Sequence, residues 1–218
     1  MIPCAALKMK TKQVVPSSKS KKSGRTPQRI AKRQAIAKAR AVSPDVRAHI
    51  GSTPKTRFRG APDIFGRLVQ DHDRHRALFA MIGQTKRNSR DRVRLFNALV
   101  LEVKGHAAAE DQALWSTVLR NPATTEDARH AISEHKKLDE MLADLAARNK
   151  ASRGWLRRLA KTHEKYLHHI REEEKEQFAA AQRLLSRADV VYLRGVFNRR
   201  KAAEKASARI EPKIKLKR

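Results

Sequence analysis

A chain of 218 residues with 50 Lys and Arg against 22 Asp and Glu has a net charge of +28, and its length fits one domain of ordinary size with tails, or two small ones. The single cysteine, Cys4, excludes an intrachain disulfide, and no apolar run approaches the roughly eighteen residues of a membrane span. The opening Met-Ile-Pro-Cys-Ala-Ala-Leu is too short, and lacks the leading basic residues, for a secretory signal.

The charge is unevenly placed. Residues 1–60 carry sixteen Lys and Arg and one acid, Asp45; residues 186–218 carry eleven and three; residues 61–185 carry twenty-three and eighteen. Tails and body are therefore separate: a basic N-terminal extension over 1–60, a packed body over 61–185, and a C-terminal helix with a basic tail over 186–218. Pro16 to Pro27 has too few apolar residues to offset the entropy of ordering and is expected to be disordered. Arg29 to Ala41 is richer in Ala, but Ile30 and Ile36 alone make a poor stripe. The chain reads as soluble and cytoplasmic. Residues 1–44, with no acid and many Arg, Lys and Ser, keep organelle targeting open.

From Asp63 the pattern turns helical. Ile64, Phe65, Leu68, His72, Phe79 and Ile82 follow steps of three and four and stop at Gly83, predicting a first helix. Phe96, Leu99, Val103, His106, Glu110 and Ala113 form the seam of a second, from about Ser89 to Leu119, with Asn88 or Ser89 as its cap. Asn121-Pro122 breaks the chain; after Thr124 or Thr125, Ile132, His135, Leu138, Leu142 and Leu145 mark a third helix. Arg148 to Gly154 is the next break, and Leu159, Thr162, Tyr166, His169 and Glu173 mark the fourth. A shorter helix from Ser186, with Val191, Leu193 and Phe197, packs on the bundle before the basic end. Long helices with short connections predict an all-α fold, an up-down antiparallel four-helix bundle.

One pattern occurs twice. His72 precedes the pair His106 and Glu110 by 34 residues, and His135 precedes His169 and Glu173 by 34. The midpoints, Ser89 and Ser152, fall on the turns or helix starts read above, so each hairpin brings its lone histidine level with its HxxxE pair, about 25 Å from the turn. Residues at i and i+4 share a face. Four histidines and two glutamates on apolar seams are costly to bury without partners, and a dinuclear metal site satisfies them. With no cysteine in the body, thiolate zinc and iron–sulfur sites are excluded.

The sequence here resembles the hemerythrin-like, HHE cation-binding family of four-helix bundles, from about Asp63 to Leu185. The resemblance rests on Asp71-His72-Asp73, Gly105-His106 to Glu110-Asp111, Glu134-His135, and His169 to Glu173-Glu174 with Phe178. It implies two non-haem irons, with His72, His106, His135 and His169 as terminal ligands and Glu110 and Glu173 as bridges; other divalent metals accept the same ligands. It also implies a small partner such as oxygen, nitric oxide or peroxide, to be handled or sensed. The oxygen-carrying branch adds an HxxxH pair on the third helix and ends with HxxxxD, and this chain has neither. No catalytic turnover is assigned.

Other residues read more plainly. His75 is a core or boundary histidine rather than a seventh ligand, and His163 reads similarly, about one and a half turns from the site. His130 and His168 are solvated, and His49 belongs to the tail. Asp71 and Glu134 read as solvated acids. Tyr166 is either a donor to a metal-bound oxygen or a core tyrosine. Trp115 and Phe178, each five residues past its glutamate, cap the core. The basic tails fit a nonspecific polyanion such as DNA or RNA, or a solubilising extension; few aromatics accompany them, which excludes base stacking. The competing reading is a nucleic-acid-associated protein with a structural bundle.

Overall fold

A computed structural model describes residues 56–207. The expectations for Cys4, Arg29 to Ala41, His49 and the chain beyond Ser207 lie outside these residues, as do most of the basic tails. Among the described residues there are five principal helices and no strand.

Helix α1 spans Ile64–Gly83, capped by Asp63, whose Oδ1 accepts from the Gly66 amide at 3.0 Å. Helix α2 spans Arg90–Glu110, with Ser89 as its cap, and runs on through a π-helical turn, Asp111–Trp115, to Ser116–Val118. Helix α3 spans Thr125–Ala147. Helix α4 spans Trp155–Glu172 and runs on through a second π-helical turn, Glu173–Gln177, to Phe178–Leu184. Helix α5 spans Arg187–Ser207 and packs along α1 and α2. The four-helix bundle and its turns fall where periodicity put them.

Three features differ from expectation. The C-terminal helix is not short: it runs for 21 residues, because Val190, Leu193, Phe197 and the stem of Lys201 form a buried stripe in steps of three and four. Phe58, within the expected extension, is buried against Phe65 and Phe178, with ring centroids 5.1 and 5.9 Å away. The third is the pair of π-helical turns, where the amides of Ser116 and Phe178 bond five residues back to Asp111 and Glu173. In an α-helix the fifth residue lies about 140° around the axis. The wider turn keeps Trp115 and Phe178 on the inner face after Glu110 and Glu173, and both rings are fully buried.

Two apolar clusters flank the bundle's middle. One, at the turn end, gathers Phe79, Phe96, Leu99, Leu142 and Trp155; the other gathers Phe65, Leu68, Trp115, Phe178 and Phe197. Buried Arg92 ties the two turns together, donating to the carbonyls of Thr85, Arg87 and Lys150 at 2.8–3.0 Å. The polar site lies between the clusters. No described helix is long and apolar enough to cross a membrane.

Candidate metal centre

All six residues singled out by the repeat are buried and converge. His72, His106 and Glu110 present one ligand atom each within 4.8 Å of one another, and so do His135, His169 and Glu173. The two sets meet across the core. His72 Nε2 lies 3.4 Å from Glu173 Oε2 and His135 Nε2 lies 3.7 Å from Glu110 Oε2, so each glutamate faces histidines of both hairpins. His106 Nε2 stands 3.0 Å from Glu110, and His169 Nε2 3.4 Å from Glu173.

The outer nitrogen of every ring is held by an acid. His106 Nδ1 donates to Asp71 at 3.2 Å and His169 Nδ1 to Glu134 at 3.2 Å, each within its own hairpin. His72 Nδ1 donates to Glu174 at 2.9 Å and His135 Nδ1 to Asp111 at 2.7 Å, each across the two hairpins. These four bonds fix the tautomer, so that every Nε2 turns a lone pair toward the centre. Asp71 and Glu134, expected to be solvated, are therefore buried partners of the histidines. Asp111 and Glu174 were missed. All four are sequence neighbours of the six residues, and the π-helical turns begin at Asp111 and just before Glu174, which turns both acids inward.

Nε2 of His72, His106 and His135, and all four carboxylate oxygens of Glu110 and Glu173, are buried without a hydrogen-bond partner among the described residues. Burial costs such groups several kcal/mol each, roughly, unless something else satisfies them. Imidazole lone pairs around two carboxylates are a donor set that cations such as iron or zinc fill.

The electrostatics agree. Burial pushes His72 well below its usual range, with the charge of His106 adding to the effect. Burial also lowers His169, to about 4 despite its bond to Glu134. Burial lowers His106 too, but the neighbouring carboxylates of Asp71 and Glu110 outweigh that and raise it. Burial and the neighbouring Glu110 hold Glu173 well above the usual carboxylate range, while the surrounding histidines, led by His106, overcome burial and lower Glu110. Of the two glutamates, Glu110 is thus the easier to ionise and Glu173 the harder. Burial raises Asp71, yet His106 and the charges of His75 and Lys201 more than reverse this, and its carboxyl sits far below its usual value.

The other residues resolve as follows. His75 is a fully buried core histidine with Nδ1 2.6 Å from the Tyr166 hydroxyl, and Tyr166 has a pKa raised well above 10, chiefly by burial. His163 stacks on Phe79 at 4.4 Å and stays out of the site. His130 and His168 are exposed and both meet Glu172. Phe178 stacks on the His72 ring at 6.0 Å and Trp115 packs beside it, so both close one end of the site. A cavity of about 290 Å³ opens between α2 and α3, with His106, His135, His169 and Tyr166 on its walls and the Lys104–Asp139 ion pair also lining it.

Comparison with known proteins points the same way. The family model for the hemerythrin HHE cation binding domain matches residues 63–181. No curated protein matches the chain. Among solved structures, the chain is similar to a hemerythrin HHE cation binding domain-containing protein from Mycobacterium kansasii, at 21% identity and a TM-score of 0.60, over 66% of this chain and 88% of that one.

Proposed function

From the premise that this chain belongs to the hemerythrin HHE cation-binding family, we propose that it is a non-haem di-iron protein that handles or senses oxygen, nitric oxide or peroxide. His72, His106, Glu110, His135, His169 and Glu173 would hold the irons. The observation that carries this reading is the set of seven buried, unpartnered nitrogen and oxygen atoms that four helices bring into two adjoining groups. A pair of irons in such a site supplies Lewis acidity and one-electron steps to a small ligand.

The protein's own groups do the rest. Asp71, Asp111, Glu134 and Glu174 keep the four imidazoles aimed and basic. Phe178, Trp115 and Phe65 exclude water from one end. The cavity between α2 and α3 gives a small ligand a route past His135. Tyr166, which retains its proton, lines the cavity, and its hydroxyl stands 2.6 Å from His75 Nδ1. Glu173, raised by burial and by Glu110, would give up its proton on binding a cation, so metal uptake would strengthen as pH rises.

The reading is tested by metal analysis of protein purified without affinity chelation, with the absorption spectrum of the oxidised form. Two irons per chain and a charge-transfer band are expected, and His106→Ala with Glu173→Ala should lose both. Full metal in that double variant would refute it.

A further inference from the structure

The two halves of the centre differ in the charge one turn before the second histidine. The offset that carries His72 onto His135 and His106 onto His169 carries Asp71 onto Glu134 and Glu102 onto Lys165. In the second half Lys165, one turn before His169 on α4, pairs with Glu134, the acid that holds His169. In the first half the same place holds Glu102, an acid, next to Asp71. Two buried carboxylates there repel each other and require a cation from elsewhere.

Helix α5 brings it. Lys201 is buried, with Nζ 2.6 Å from Asp71 Oδ2 and 2.8 Å from Glu102 Oε2. Asp71 Oδ2 is the oxygen that accepts from His106 Nδ1. Arg67 reaches the other oxygen, Oδ1, at 2.6 Å, and Lys205 and Arg74 add to Glu102. The close approach of α5 depends on Gly105, directly before His106, where a Cβ would stand 2.6 Å from Cγ of Lys205 and 3.5 Å from the Lys201 carbonyl oxygen. Phe197 of α5 also meets the His106 ring edge-on at 5.6 Å. The family match ends at residue 181, so α5 lies wholly outside it.

We propose that α5 completes the centre: Lys201 is a positioning residue that holds Asp71 on His106, taking the part Lys165 takes in the other half. Occupancy of the His72–His106–Glu110 position then depends on docked α5, and occupancy of the His135–His169–Glu173 position does not. This rests on the di-metal reading above.

The test is an anaerobic titration of the full chain with ferrous iron, followed by helix content from circular dichroism. Lys201→Met should keep its helix content and bind one of two ions about tenfold more weakly or worse, with the other unchanged. Combining it with Glu102→Lys, which puts a lysine where Lys165 stands in the second half, should restore the weakened ion. Val190→Ala, which loosens the far end of α5, should leave both ions alone. Wild-type affinity for both ions in Lys201→Met would overturn the proposal, as would equal weakening of both that Glu102→Lys does not repair. If the wild type takes no metal, the di-metal reading falls, and imidazole NMR of the metal-free chain decides the positioning step. A slowly exchanging Nδ1 proton on His106, lost in Lys201→Met while that of His169 persists, supports it; persistence of both overturns it.

Discussion

Acidifying the metal-free protein from pH 6.5 to 5 should destabilise it steeply. Burial lowers His72, His75, His163 and His169, the last two to about 4, so none of the four is protonated in the folded chain across this window. Unfolding releases them to their ordinary value of 6.5, and each gains a proton. For a lowered histidine, stability is fully present above pH 6.5 and is lost as pH falls toward the folded value. Glu173 acts the other way: raised by burial and Glu110, it keeps its proton when folded and gives it up on unfolding. His106, raised in the folded chain, is protonated in both states below 6.5 and drops out. His163 is only partly buried and is discounted, so unfolding takes up two to three protons net. That is a slope of about 3 kcal/mol per pH unit, or roughly 6–12 °C in Tm for a chain of this size. Thermal melts in chelator, stepped from pH 6.5 to 5, read it directly. A flat or rising Tm over that range would show that the histidines are not buried as neutral groups.

Three further outcomes follow from the packing and the site. Phe178→Ala empties a fully buried ring that touches Phe58, Phe65, Trp115 and His72, and should cost about 3–5 kcal/mol in urea denaturation; a loss below 1 kcal/mol would mean the aromatic cluster is not packed as described. Gly66→Ala places a Cβ 2.1 Å from the Ala61 carbonyl oxygen, displacing the segment that anchors Phe58. The lost burial, about 1.5–3 kcal/mol, exceeds the helix gain of about 1 kcal/mol, so a net loss of about 0.5–2 kcal/mol is expected rather than the usual stabilisation. Ferrous iron at 100 times its Kd should stabilise the chain by about 2.7 kcal/mol per site, seen as a concentration-dependent Tm that His106→Ala with Glu173→Ala abolishes.

The bundle and the meeting of the six His and Glu residues were legible because both depend on spacing within single helices and on symmetric turns. Helix period places His72, His106 and Glu110 on apolar seams, and the positions of Ser89 and Ser152 set their heights. The partners of those residues were not legible for a physical reason. Asp71 and Glu134 lie one residue off a seam, which in isolation is a solvated position; only a neighbouring helix makes it an interior one. Asp111 and Glu174 depend on π-helical turns, and the available signal was the five-residue step from each glutamate to a large aromatic, which an α-helix would turn away from the core. Lys201 sits in a Lys- and Arg-rich stretch that reads as tail, because its aliphatic stem does the packing of an apolar residue.

The most direct test of the account is anomalous diffraction at the iron edge from crystals of the iron-loaded full chain. Two peaks are expected in the core, one beside His72 and His106, the other beside His135 and His169, with Glu110 and Glu173 between them. A single peak, or peaks only at the exposed His130, Glu134 and Glu172 group, would contradict it.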